Sequence, residues 1–311
     1  MADGEVQQTG AAPVIDDDII ERVTALKPSV VGSLIFALFP LRRRVVMENL
    51  RLVFGDRLSE DQVRQLARCA YGHFARTIIE TFGMIVSSER RIAAKVDVLG
   101  VEHVLRAAED GKGVLLLAGH FGNWELAAVA AMLQFKQYRN RFHVIRKSLG
   151  LGLENLVFTR FRKAGLQIIN PSNALESVFD ALENNDVVIF IMDQYQVPGS
   201  KAMAVEFFGM PTGTNRSLAL VARQSGAPVV PASSHRRPDG RHVIRFHRAL
   251  EWLVMDSSRE EIYRNTLAYN RVLEQFVLEH PEQWLWAHRR WKSHLRPPTR
   301  RRQRELDRGW R

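Results

Sequence analysis

From about Lys95 onward the chain alternates short apolar, β-rich runs with helical stretches, and this rhythm constrains its fold more than any other feature. Val114-Leu115-Leu116-Leu117-Ala118 precedes a helix expected from Trp124. Phe142-His143-Val144-Ile145 precedes a helix over Leu153 to Ala164. Leu166-Gln167-Ile168-Ile169 precedes one that aligns Leu175, Val178, Phe179 and Leu182 on a single face. Val187 to Met192 and Pro228 to Ala232 are further apolar runs, and His242 to His247 alternates like a strand with one face exposed. Strands that alternate with helices pair mainly in parallel and are covered by those helices. The expected fold class is therefore α/β, a mainly parallel central sheet with helices on both faces. A last helix is expected from a capping box at Ser258 and Glu261, stopping before Pro281.

Upstream of this region the pattern is helical from Ile19 to Phe82. Ser59 and Gln62 form a capping box, after which Val63, Leu66, Ala67, Ala70, Phe74 and Ile78 share one face. The expected organisation is a disordered tail (1–15), a helical, membrane-associated segment (16–94), an α/β core (95–295) and a basic tail (296–311). The most apolar run, Pro28 to Leu41, falls short of the ~20 residues a helix needs to cross a bilayer. Arg42-Arg43-Arg44 follow it directly, and each basic residue near an anionic leaflet contributes about 1 kcal/mol. That favours a helix lying in the membrane interface over one buried in the core. The first residues are polar and acidic, which is not the pattern of a secretory signal.

The formal charge of +10 is unevenly spread, with Asp16-Asp17-Asp18 near the start and a dense basic segment from His288 to Arg311. Such a charge attracts nucleic acid, anionic lipid or an acidic carrier protein. Cys69 is the single cysteine, which excludes an internal disulfide and any multi-cysteine metal site. It lies in the helical pattern and reads as core packing, and a reducing, cytoplasmic setting fits. No metal or cofactor is expected.

In sheets of this kind ligands gather beyond the carboxyl ends of the strands. Two polar segments occupy such positions. His120 leaves the run Val114 to Ala118 through a turn containing Gly119 and Gly122, and Asn123 is a good N-cap that places Glu125 in the first helical turn. A carboxylate on one imidazole nitrogen fixes the tautomer and leaves the other nitrogen free to take a proton from an alcohol. Equally, Glu125 can simply complement the helix dipole while His120 is a satisfied strand-end residue. Asp193-Gln194 ends the run Val187 to Met192, where the acid can bind a substrate hydroxyl, steady an arginine or cap a loop.

The ordered set of motifs is more specific. His120-Phe121-Gly122-Asn123-Trp124-Glu125 resembles the H-x-x-x-x-D/E motif of the lysophospholipid acyltransferase superfamily. Glu48-Asn49-Leu50 with Phe54, Arg160-Phe161-Arg162, Asp193-Gln194, Phe207-Phe208-Gly209 with Thr212, and Gly226 to Pro231 follow the same register. So does the segment from Pro281 to Lys292. Over roughly residues 30 to 295 the chain resembles the late lipid A acyltransferases and their mycobacterial phosphatidylinositol-mannoside relatives. That resemblance implies acyl transfer from an acyl carrier protein thioester, or coenzyme A, to a hydroxyl of a membrane lipid. It implies His120 as general base, Glu125 as its orienting partner, and Arg160 and Asp193 as active-site residues. Arg160 suits an oxyanion or a phosphate. Asn123, Arg162 and Gln194 are expected in the substrate-binding surroundings, with a solvated helix arginine as the alternative for Arg162. The place implied is the cytoplasmic face of the bacterial inner membrane, peripheral or monotopic, against an anionic surface.

Acceptor choice stays open at this stage. The expected loop Gly213-Thr214-Asn215-Arg216 is more polar and basic than the enterobacterial pattern, and Arg216 suits either a different head group or a helix start. Arg139, Arg141, Arg146 and Lys147 form a candidate dock for an acidic carrier, or a solvated rim. An apolar Phe207-Phe208 loop suits an acyl channel, lipid contact or core packing. No G-x-S-x-G occurs, which excludes a nucleophile elbow. Gly150-Leu151-Gly152 is a poor dinucleotide fingerprint, and the histidines at 235, 242, 247, 288 and 294 form no convincing ligand set. The basic tail has the charge for nucleic acid but no recognised fold for it, so no nucleic-acid partner is expected.

Overall fold

The computed structural model describes residues 6, 8, 10–39, 41–135, 138–146, 152–199 and 201–292. Lys147, Gly150, Leu151, His294, the basic tail and part of the expected N-terminal tail lie outside the described residues. The helices α1 (Asp17–Ala25), α2 (Val30–Leu38), α3 (Arg43–Phe54) and α4 (Glu60–Val86) come first. Next are α5 (Glu89–Ala93), β1 (Val96–Leu99), α6 (Val101–Ala108), β2 (Val114–Ala118), α7 (Trp124–Gln134) and β3 (Phe142–Ile145). They lead into α8 (Gly152–Ala164), β4 (Leu166–Ile169), α9 (Ala174–Glu183) and β5 (Val187–Ile191). The remainder comprises β6 (Ala202–Phe207), β7 (Met210–Asn215), α10 (Ser217–Ser225), β8 (Val229–Arg236), β9 (His242–Phe246) and α11 (Ser258–Glu279).

These elements divide into two compact units. The first is built from Thr77–Ile191 and Leu220–Glu251, with Val6, and the second from the described residues between Gln7 and Arg76, Met192–Ala219 and those from Trp252 on.

The first unit holds a seven-stranded sheet in the order β1-β9-β8-β2-β5-β3-β4. Pairing is parallel throughout except between β8 and β9, so the mainly parallel sheet expected from the alternation is present. β2 is buried at four successive positions, Val114 to Leu117. Successive side chains point to opposite faces, so both faces of this strand are covered. Fully burying one such leucine contributes roughly 1.5–3 kcal/mol. Val129 and Ala130 of α7, and Phe158 and Phe161 of α8, join the same core. The expected exposed face of β9 does not exist, because none of its residues is exposed: His242, Val243 and Phe246 are buried and the two between them half-buried.

The second unit contains α1 to α3, the first part of α4, the β6–β7 hairpin and α11. The hairpin was not foreseen, and Gly213 to Asn215, expected in a loop, form the end of its second strand. Its turn is Phe208-Gly209, both at positive φ (52 and 72°). A phenylalanine seldom adopts that geometry, but here its N–H donates to Glu274 Oε1 at 2.7 Å. Phe207 is wholly buried and meets the rings of Trp284 and Trp291 at 5.8 and 5.7 Å, which makes it a core residue. The α11 cap is one residue earlier than expected: Ser257 accepts from Glu260 N at 3.2 Å, while Glu261 takes the Trp252 indole at 2.8 Å.

Glycine sets the crossing of α2 and α4. A Cβ on Gly32 would lie 2.4 Å from Arg68 O, and one on Gly72 would lie 2.6 Å from Ser29 Oγ. With that side pinned, α2 turns Val30, Val31, Leu34 and Leu38 outward. On α4 the apolar face expected from the spacing holds from Val63 to Ala70 but emerges at Ile78, which is exposed. Cys69 is buried as expected, and burial pushes its thiol up to about 11.

Candidate active site

β2 lies between β8 and β5, with Ala118 opposite Ile191 at the carboxyl ends. From β2 the chain goes to β3, beyond β5, whereas from β5 it reaches β8, on the other side of β2. Connections thus leave neighbouring strand ends in opposite directions, which is the switch point where open α/β sheets take ligands. His120 stands at the end of β2.

The turn carrying it is tightly built. Gly122 has φ +56°, and a Cβ there would lie 2.9 Å from both His235 Cα and Ser234 O. Ser234 Oγ donates to Phe121 O at 2.7 Å, pressing the turn onto β8. Asn123 is fully buried and caps α7, its Oδ1 accepting from Leu126 N at 3.1 Å. Its amide donates to Glu80 Oε2 at 3.1 Å. The half-buried His120 meets Trp124 edge-on, with ring centroids 4.9 Å apart. Glu125, in the first turn of α7, is buried, and both its oxygens accept from Arg146 Nη1 at 2.7 and 2.9 Å. Arg146 in turn lies over Phe158 and Phe161, at 4.9 and 5.7 Å from their centroids.

His120, Asn123 and Glu125 thus share one turn, and the structure adds Arg146 to them. By sequence this arginine belongs to a basic cluster, but the cluster is divided. Arg139 donates to Lys163 O and Arg141 pairs with Asp186 at 2.8 Å, both before β3. Arg146 is the first residue after β3, at the carboxyl end of a parallel strand, and that position was the signal available for it.

Arg160, on α8, donates to Ser87 O, and its buried Nε has no hydrogen-bond partner. Arg162, on the same helix, is exposed. Behind the turn, Glu80 accepts from Arg236 at 3.1 and 2.6 Å and meets His242 Nε2 at 3.1 Å. These donors hold its carboxyl far below the usual range against the opposing effect of burial.

Asp193 and Gln194 belong to the second unit. Asp193 is buried, and its Oδ2 accepts from Trp284 Nε1 at 2.8 Å. The Gln194 carbonyl accepts from Arg290 at 3.2 Å. Arg290 is wholly buried, which pulls it down to about 10; it also donates to Gly213 O and to Thr214 Oγ1, each at 2.9 Å.

Known proteins with the same sequence pattern supply the chemistry. The chain is 26% identical over 263 residues to the lipid A biosynthesis lauroyltransferase of Escherichia coli (strain K12), covering 84% of this chain and 83% of that one. It is 23% identical over 265 residues to the lipid A biosynthesis palmitoleoyltransferase of the same organism, covering 85% and 83%. With the phosphatidylinositol mannoside acyltransferase of Mycolicibacterium smegmatis it shares 23% identity over 251 residues, 79% of each chain. The class these define is the acyltransferases, and this chain is one of them. A model of the bacterial lipid A biosynthesis acyltransferase family matches residues 25–293, and the chain belongs to that family.

Proposed function

We propose that the protein moves a fatty acyl chain from a thioester of acyl carrier protein, or of coenzyme A, to a hydroxyl of a membrane glycolipid, with a lipid A precursor as the leading acceptor. The observation that carries this reading is the turn His120 to Glu125 at the carboxyl end of a central parallel strand. His120 takes the acceptor's proton as its oxygen attacks the thioester carbonyl; the C–S bond then breaks and the thiol leaves with the proton returned. Glu125 is the orienting carboxylate, held in place by Arg146. Arg160 serves the developing oxyanion or a phosphate of a substrate. For Arg162, Asp193 and Gln194 a substrate-binding role rests on the family resemblance alone.

Membrane attachment is assigned to α2. Its outward residues reach 76% exposure at Val30 and 67% at Leu38, and three arginines follow it. Among the described residues no helix is long and apolar enough to cross a membrane. An interfacial helix fits those facts, with the cytoplasmic face of the inner membrane as the proposed place.

The test is acyl transfer by purified protein, with lauroyl thioesters of acyl carrier protein and of coenzyme A as donors. Under-acylated lipid A, phosphatidylinositol mannoside and lysophospholipid serve as acceptors, read by mass spectrometry. His120→Ala is expected to lower transfer by about 10²–10⁴-fold. Full activity in a folded His120→Ala protein would refute the scheme. Product from the mannoside alone would replace lipid A by that class of glycolipid.

A further inference from the structure

The carboxylate of Glu80 belongs to no motif, yet it lies directly behind the turn that carries His120. It stands on α4, buried except at its edge, and gathers donors from three other elements. Arg236, the last residue of β8, gives it two hydrogen bonds, at 3.1 and 2.6 Å. His242, the first residue of β9, stands 3.1 Å away. Asn123, the cap of α7, donates its amide at 3.1 Å. Thr77, one turn earlier on α4, receives Arg236 Nη2 on its hydroxyl at 3.2 Å, and its carbonyl lies 3.5 Å from the Asn123 amide.

The division of labour within Asn123 is what matters. Its Oδ1 accepts from Leu126 N, which starts the helix bearing Glu125, and from Thr81 Oγ1 at 3.4 Å, while its NH2 needs an acceptor of its own. Buried amide donors without acceptors are costly, and Glu80 supplies that acceptor from an ionised group. Ser234 fixes the turn from the β8 side through Phe121 O, and Glu80 fixes it from the α4 side through Asn123. His120 lies between those two anchored backbone positions and the end of β2.

We propose that Glu80 is a positioning residue for acyl transfer: through Asn123 it holds the turn that sets where His120 and Glu125 point. The proposal rests on the reading of His120 as the base. It assigns Glu80 no contact with substrate.

Glu80→Asp tests this, because it keeps a negative charge in the cluster while drawing the carboxylate back by one methylene, from Asn123 as well as from Arg236 and His242. In the full chain, with lauroyl thioester and under-acylated lipid A, kcat is expected to fall about tenfold or more while KM for the thioester stays within twofold. Hydrogen exchange is the second readout: amides of residues 119–126 should lose protection while those of β2 and β5 keep theirs. A folded Glu80→Asp protein with wild-type kcat and a protected turn overturns the proposal. So does a Glu80→Asp chain that cannot fold, since the carboxylate would then serve the fold as a whole. A parallel His120→Ala assay separates the two ideas. If that variant is fully active, the base reading fails whatever Glu80 does. If it is inactive while Glu80→Asp matches wild type, only the positioning role fails.

Discussion

Arg146 joins a polar and an apolar environment: one amino group holds both oxygens of Glu125 while the guanidinium plane covers two phenylalanines of α8. A lysine has the charge but not the flat guanidinium that lies over those rings. Arg146→Gln is therefore expected to cost about 1.5–3 kcal/mol, the range for hydrogen bonds to charged groups. The same change should lower kcat roughly a hundredfold, because Glu125 loses its anchor; denaturant unfolding and steady-state assay check the two effects. If Arg146 served carrier docking instead, its loss would raise KM for the carrier and weaken the salt dependence, with kcat unchanged. The sequence alone makes His120, Asn123 and Glu125 legible, because strand, turn and cap lie within a few neighbouring residues. Arg146 is distant in sequence from Glu125, and nothing in the local pattern marks an arginine after β3 as its partner. Glu80 is hidden for the same reason, since it faces inward from a helix that otherwise reads as plain packing.

At the scale of elements, local signals succeeded where one physical cue sufficed. The continuous apolar runs at β2 and β5 are too short for an ordinary core helix and read as covered strands. The capping box of α11 slipped by one because Ser257–Glu260 and Ser258–Glu261 both satisfy the same spacing. Burial of Glu261 against Trp252 is consistent with the first register. The β6–β7 hairpin escaped notice because its turn is Phe-Gly rather than Asn-Gly, and its second strand contains Pro211 and Gly213. At the turn before α7, Gly122→Ala combines left-handed strain with a 2.9 Å approach to β8. A loss of about 1–3 kcal/mol is expected from the strained φ/ψ alone, read as a lower unfolding midpoint, together with impaired transfer. In α2 the opposite result is expected. Leu34→Glu with Leu38→Glu alters exposed positions, so the unfolding midpoint should stay within about 0.5 kcal/mol. Sedimentation with anionic vesicles should drop at least tenfold; unchanged sedimentation removes α2 as the membrane contact.

The whole molecule carries buried ionisable groups whose pH effects oppose one another. Burial pushes His247 from 6.5 down to about 3 and His280 to about 4, so the unfolded chain takes up their protons first as pH falls. Their contribution to stability is full above pH 6.5 and declines below it, by up to about 1.4 kcal/mol per pH unit for each. Burial raises Glu274 from 4.5 to about 7, although Arg271 pulls the other way. The folded state therefore holds that proton first, and stability gains as pH falls from 7 to 4.5. The two histidines lose stability while the one carboxyl gains it, so the combined decline of these three groups from pH 6.5 to 4.5 is about 1.4 kcal/mol per unit at most, with Glu80 adding its own loss as pH nears 4.5. Unfolding midpoints at pH 8, 6.5, 5.5 and 4.5 measure it, and His247→Gln should flatten the slope. A profile level across that range would contradict these assignments. The arrangement of segments was beyond the linear pattern: each unit is assembled from stretches separated by parts of the other. In the second unit, the carbonyls of Gln194 and Gly213 and the hydroxyl of Thr214 converge on the guanidinium of Arg290. Since translation runs from the amino end, those oxygens emerge from the ribosome well before their guanidinium does. The nascent chain must keep that half of itself unfinished, with α2 already outside and greasy, until Arg290 has followed.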